Sequence, residues 1–235
     1  MTIQEFSTEF DLMYNNITSS QSPGLDEYEK SVFLTHEQDG LVTALYTGAG
    51  SYGGFELTEQ MRRSLDSLLV SEVLKPTGLN YAMIASNSTF FELDDSLWYI
   101  VYEAAKYKGD GDEDKKPCQI DARNFPVEIV PATYDEFHRI KGDPFRGPSK
   151  RRALRFDVGI VDEHRIIEVV SKDELSKYFV KYIRHPQPII LEKLTDNTIN
   201  KQTGPLGCEL HESLHRIILD SAVRAAKAAY VGASS

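Results

Sequence analysis

The stretch that most constrains this chain is Lys177-Tyr178-Phe179-Val180-Lys181-Tyr182-Ile183-Arg184-His185-Pro186-Gln187-Pro188-Ile189-Ile190-Leu191. Its first half is β-branched and aromatic, and period two puts Tyr178, Val180 and Tyr182 on one face of a strand and Phe179, Lys181 and Ile183 on the other. Pro186 and Pro188 donate no backbone hydrogen bond, so a ladder ends there or sits at an edge. Each proline also pushes the residue before it, His185 or Gln187, toward an extended conformation. Ile189-Ile190-Leu191 then resumes an apolar run. The pattern predicts a strand, a stiff corner and a second extended piece. Two uses fit it equally well: a pre-extended segment that docks on another subunit, with Tyr182, Arg184, Pro186, Pro188 and Ile189 as contacts, or a strand buried within one domain.

The chain before this stretch divides by periodicity. Residues 2–17 predict an amphipathic helix, with Thr2 and Glu5 at capping-box spacing and Ile3, Phe6, Phe10, Met13 and Ile17 on one face. A short segment from Leu25 to Leu34 follows. Thr35 and Gln38 form a second box that starts a helix ending at Gly48. A third helix is expected after Thr58, with Met61, Leu65, Leu68, Leu69 and Val73 on its face.

Beyond Pro76-Thr77-Gly78 the character becomes β-rich. Phe90–Leu93 and Leu97–Glu103 predict strands around Asp94-Asp95-Ser96. Further strands are expected at Phe125–Val130, Ala153–Ile160 and Arg165–Val170. Thr133 and Glu136 cap a short helix closed by Gly142. The links look too short for helical crossovers, which predicts a mainly antiparallel sheet. A polar connection from Thr195 to Gly207 leads to a long helix from about Cys208 to Tyr230, with Leu210, Leu214, Ile217, Ser221 and Ala225 as its stripe. The fold class expected is α+β: N-terminal helices, a mainly antiparallel sheet in the middle and a long C-terminal helix. The regions are 1–75, helical; 76–194, β with one short helix; and 195–235, connection and helix, within one integrated domain.

Composition narrows function mainly by exclusion. A net charge of −10 disfavours a general nucleic-acid binder. No stretch is apolar enough to span a membrane, and the first residues lack the basic and apolar regions of a signal peptide, so a cytoplasmic setting is expected. Cys118 and Cys208 have no metal-ligand spacing. Gly48–Gly54 lacks the Gly-Lys-Ser/Thr ending and preceding strand of a phosphate cradle. Asp110, Asp112 and Asp114 have calcium-loop spacing, but Lys115 occupies the required glycine position and no closing Glu follows.

Two constellations carry chemistry. His211-Glu212-Ser213-Leu214-His215 matches H-E-x-x-H, in which two histidines one helical turn apart hold zinc and the Glu activates water. A third ligand is required. The metzincin continuation would need Gly at 218 and His at 221, where this chain has Ile218 and Ser221, and after His215 it has no further His or Glu. A zinc-dependent hydrolase on His211, Glu212 and His215 is therefore only the alternative, and no catalytic residue, metal or cofactor is expected. The second constellation is basic: Arg146, Lys150, Arg151, Arg152 and Arg155 beside Phe145. Phe and Arg are enriched at interfaces, which makes Phe145, Arg146, Arg151 and Arg152 candidate contacts with a partner protein.

Four stretches together resemble a known family. They are Gly24-Leu25-Asp26-Glu27-Tyr28-Glu29-Lys30-Ser31-Val32-Phe33-Leu34-Thr35; Thr133-Tyr134-Asp135-Glu136-Phe137 with Asp143-Pro144-Phe145-Arg146-Gly147-Pro148; Tyr182 through Leu191; and Leu214-His215-Arg216-Ile217-Ile218-Leu219-Asp220-Ser221-Ala222-Val223. Their joint order is similar to virion structural proteins of crAss-like tailed bacteriophages, in particular the neck or tail ring proteins that stack below the portal. The resemblance implies a non-enzymatic structural protein that assembles with copies of itself in a ring. It implies neighbouring portal, ring or tail proteins as partners and no more than passive proximity to phage DNA. It places the protein in the virion, assembled in the host bacterial cytoplasm, and makes His211 part of a helix start.

Overall fold

A computed structural model describes residues 1–15, 24–48, 63–78, 84–108, 126–161, 164–195 and 197–231. The glycine-rich stretch after Gly48, Met61, the Asp110–Asp114 spacing and Cys118 lie outside them. The chain forms two compact units: Met1–Leu68 with His185–Ser235, and Leu69–Arg184.

The first unit is helical. Helix α1, Ile3–Asn15, starts at the expected box: Thr2 N–H donates to Glu5 Oε2 at 2.7 Å and Glu5 N–H to Thr2 Oγ1 at 3.2 Å. Helix α2 runs unbroken over Glu27–Thr47. Its cap is a box made by Asp26 and Glu29, and left-handed Gly48 (φ 68°) closes it as expected. Thr35 and Gln38 therefore do not start a helix. They lie inside one, because the acidic cap nine residues earlier already satisfies first-turn N–H groups. The terminal helix, Glu212–Val231, starts later than its periodicity suggests. Its buried stripe is Leu214, His215, Ile218, Leu219, Ala222, Val223 and Ala226, with Ser221 and Ala225 only half-buried. Arg216 pairs with Glu9 and Lys227 donates to the Met13 carbonyl at 2.8 Å, tying this helix to α1.

The second unit is one seven-stranded sheet: β1 Leu69–Leu74, β2 Ser88–Leu93, β3 Leu97–Tyr107, β4 Val127–Pro131, β5 Arg152–Val161, β6 His164–Val170 and β7 Leu175–Arg184. The order is β1-β7-β3-β4-β5-β6-β2. Of the expected third helix, residues 63–65 are helical and Asp66–Leu68 form a 3-10 turn, whereas Leu69 and Val73 belong to a strand. β1 pairs along its whole length with β7, from Leu69↔Ile183 to Leu74↔Tyr178, and this pairing overrides the local apolar period. β2 and β3 flank the turn at Asp94–Ser96 without pairing to each other: β2 pairs β6 and β3 pairs β7. Phe91, Leu93, Leu97 and Ala105 all enter one interior cluster, which sets these two strands across the core from each other. Tyr178, Val180 and Tyr182 enter it as the alternation in β7 requires.

The sheet is antiparallel except for β4 and β5, which run parallel in register Glu128↔Arg152 to Pro131↔Arg155. The link between them holds a one-turn crossover, Tyr134–Glu136 followed by helix α3, Phe137–Lys141, and this is where link length misleads. The terminal helix is α4. The Thr133 hydroxyl does not cap this turn. Phe137 and Ile140 of α3 cover Leu154, Phe156 and Val170 on the outer face. The sheet curls until its edges approach: Thr77 N–H, just past β1, donates to the Phe90 carbonyl of β2 at 2.8 Å. The architecture is α+β, with N-terminal helices, a mixed curled sheet and a C-terminal helix.

Candidate functional site

The proline corner lies inside the first unit. Pro186, Pro188 and Ile189 are buried, and Ile189 is 0% exposed. Its backbone is claimed from two sides in alternation. Toward α2, Gln38 Nε2 donates to the Gln187 carbonyl at 2.8 Å, Thr35 Oγ1 bonds both groups of Ile189, and Leu191 N–H donates to Ser31 Oγ at 3.0 Å. Toward the other side, Ile190 exchanges two 2.9 Å bonds with Leu206. Ser31, Thr35 and Gln38 are spaced four and three residues apart, so one face of α2 supplies the partners on that side. Cys208 completes this site by donating its thiol to Gln38 Oε1 at 3.3 Å. Burial pushes that thiol up to about 11, away from nucleophilic use.

Tyr182 is 1% exposed and belongs to the sheet interior, its hydroxyl donating to Glu72 Oε1 at 3.2 Å. Burial and the nearby Glu72 and Asp94 carboxylates push that phenol up to about 12. Arg184 is half-buried at the end of β7.

The basic cluster is split by strand alternation. Arg155 shares the inward face of β5 with Ala153, and its Nε sits 3.0 Å from Glu103 Oε2. Tyr178 Oη donates to the same oxygen at 2.5 Å. Desolvation raises the Glu103 pKa, against the opposing pull of Arg155 and then Tyr178. Arg152 donates to the Phe145 carbonyl. Arg146, Lys150 and Arg151 are exposed, and Phe145 stands 84% exposed at the loop tip. The tip is braced from within. Asp143 Oδ1 accepts from Phe145 N–H at 2.8 Å and Arg146 N–H at 3.2 Å, while Gly147 N–H donates to the Asp143 carbonyl at 2.8 Å.

The H-E-x-x-H histidines occupy different environments. His211 is exposed just before α4, its Nδ1 2.9 Å from Ser213 Oγ. His215 is 4% exposed, with Nε2 donating to the Leu210 carbonyl and Nδ1 facing the Met1 nitrogen, both at 2.8 Å. Both of its ring nitrogens are engaged, so the pair does not converge on a shared ligand position. Burial holds the His215 pKa below its ordinary value. No cluster of three or more metal-ligating side chains occurs among the described residues.

Sequence reasoning missed one surface. Where β1 and β2 approach, an open groove of about 460 Å³ is lined by Leu74, Pro76 and Leu93 together with Glu72, Glu92 and Asp94. These residues lie about twenty apart in sequence, and only the curl of the sheet gathers them.

The candidate residues thus form a set of surfaces along the chain. Residues 1–235, the full chain, match the family described as phage tail ring protein 3/4. The chain belongs to this family. Ring protein 3 of Bacteroides phage crAss001 is 37% identical over 229 residues, covering 96% of this chain and 95% of that protein. Ring protein 4/5 of the same phage is 33% identical over 240 residues, covering 99% and 94%. Membership gives the chain a structural role in a phage tail ring. For a ring protein the surfaces that meet neighbours matter most. Of the contacts expected from sequence, Phe145, Arg146 and Arg151 are at the surface, whereas Tyr182, Pro186, Pro188 and Ile189 serve the chain's own packing.

Proposed function

We propose that the protein is a structural component of a tailed-phage virion, where copies of it close into an oligomeric ring in the head-to-tail connector. The observation that carries this is the family match along the whole chain. The surface supports it: a rigid loop presents an aromatic and several cations on an otherwise acidic protein, a pattern suited to protein contacts. Its neighbours are portal, ring or tail proteins, and it meets phage DNA only by proximity. Its residues structure and position; they do not catalyse. Assembly takes place in the host bacterial cytoplasm. Among the described residues no helix is long and apolar enough to cross a membrane. Identical subunits in head-to-tail contact close into a ring when the rotation permits. Size-exclusion chromatography with light scattering, together with negative-stain images, tests this. The expected result is a closed oligomer. A chain that remains monomeric even when mixed with its neighbouring virion proteins overturns the proposal.

A further inference from the structure

A head-to-tail ring needs two different, complementary surfaces on each subunit. The sheet unit carries such a pair. One is the loop tip with Phe145 and Arg146. Its shape is fixed by Asp143, Arg152 and Gly147, so little conformational entropy remains to be lost on docking. The other is the open groove between β1 and β2, where exposed Pro76 and half-buried Leu74 lie among Glu72, Glu92 and Asp94; the one ammonium there is Lys75, and Glu92 also sits 2.8 Å from His164.

Size and charge match. A groove of about 460 Å³ accommodates a phenyl ring with the stem of an arginine. Phe145 would bury an apolar side chain that is 84% exposed in the single chain. Arg146 would meet the carboxylates of Glu72, Glu92 and Asp94, with which a guanidinium forms fork-like hydrogen bonds. Topology supplies the geometry. The loop links neighbouring strands β4 and β5. It is separated from β1 by β3 and β7, and from β2 by β6. Knob and groove therefore lie on different flanks of the curled sheet, as a contact that propagates from copy to copy requires.

We propose that Phe145 and Arg146 of one copy insert into the β1–β2 groove of the next copy, forming the repeated contact of the ring. This rests on the ring assembly proposed above.

The test uses two full-length variants. The knob variant carries Phe145→Ala with Arg146→Glu. The groove variant carries Pro76→Trp with Glu92→Lys, both exposed positions. Each is expected to melt like wild type and to associate at least ~30-fold more weakly, the loss expected of a central aromatic anchor. Mixed, they are expected to form a two-chain complex of twice 26.5 kDa and nothing larger, because the knob variant retains a groove and the groove variant a knob. Rings formed by the knob variant, or a mixture that stays monomeric, overturn this contact and leave the ring reading standing. A wild-type chain that never assembles, alone or with its neighbours, overturns the ring reading and the contact with it. If the groove variant does not fold, Arg146→Glu alone decides: wild-type rings from it overturn the contact.

Discussion

The Thr35 hydroxyl closes both backbone groups of Ile189: Oγ1 accepts from the Ile189 N–H at 3.1 Å, and its O–H donates to the Ile189 carbonyl at 3.2 Å. Both residues are buried, so neither backbone group has water as a substitute partner. Thr35→Val keeps the shape and removes the hydroxyl, leaving a buried donor and a buried acceptor unpaired. The expected cost is about 2–6 kcal/mol of unfolding free energy, since each of the two orphaned groups costs about 1–3 kcal/mol. Thr35→Ser keeps the bonds and is expected to lose less than ~1.5 kcal/mol for its missing methyl. Urea unfolding of the two variants checks this. Equal stability of Val and Ser variants would contradict the role of the hydroxyl.

The proline corner gives a second prediction. Pro186 and Pro188 lie in the interior of their own unit, which favours a structural use over docking. Pro186→Ala with Pro188→Ala is expected to destabilise the isolated chain by roughly 2 kcal/mol per site, combining greater unfolded-state freedom with lost apolar burial. Assembly should then weaken only as far as folding does. A double variant with wild-type melting and no assembly would return the corner to the role of an intersubunit contact.

Local signals proved legible where the partners are local. The Thr2–Glu5 box and the Tyr178/Val180/Tyr182 face follow from three-residue spacing and from period two. Thr35 and Gln38 show the same box spacing, yet their partners are Ile189 and Gln187, about 150 residues away. Because these polar residues sit on a buried face of α2, the helix shows little apolar periodicity to reveal its length. Interface chemistry was half legible. Phe145 and Tyr182 are both aromatic types suited to a contact, and only burial separates a presented ring from a core ring. Arg155 reads as part of a basic run, but the alternation it shares with Ala153 turns it inward to Glu103. The groove was not legible at all, because Glu72 and Glu92 become neighbours only through the long-range strand order.

His215 predicts a pH dependence. Burial holds its folded pKa below the ordinary histidine value, so the unfolded chain binds the extra proton more readily. Its contribution to stability is therefore complete above the unfolded pKa of ~6.5 and is lost as pH falls through the lowered folded value. Glu103 works in the opposite sense: its raised pKa contributes stability at low pH that is lost as pH rises through the folded value. The two are separated by comparing wild type with His215→Gln. The variant is less stable at neutral pH, but the difference from wild type should narrow on acidification from about pH 7 to pH 5. A constant difference across that range would show that His215 does not titrate as its burial requires.

The last prediction concerns how the Phe145 tip is held. A Cβ placed on Gly147 would lie 2.7 Å from the Asp143 carbonyl oxygen and 3.1 Å from that of Ile140. Both are backbone atoms, so relief requires the turn itself to move. The same Asp143 carbonyl accepts the Gly147 N–H, and the Asp143 carboxylate holds Phe145 and Arg146. Gly147→Ala should therefore open this network and let the tip fluctuate, at a cost of roughly 1–3 kcal/mol for the overpacked turn. The loop lies outside the sheet interior, so the cost should appear as local opening: faster amide exchange at Phe145, Arg146 and Gly147, with exchange in β7 unchanged. If the tip is an assembly contact, association should also weaken, because a loosened Phe145 must be ordered again on docking. Unchanged exchange at all three amides would show that the turn absorbs the methyl group and that Gly147 is not what keeps Phe145 in place.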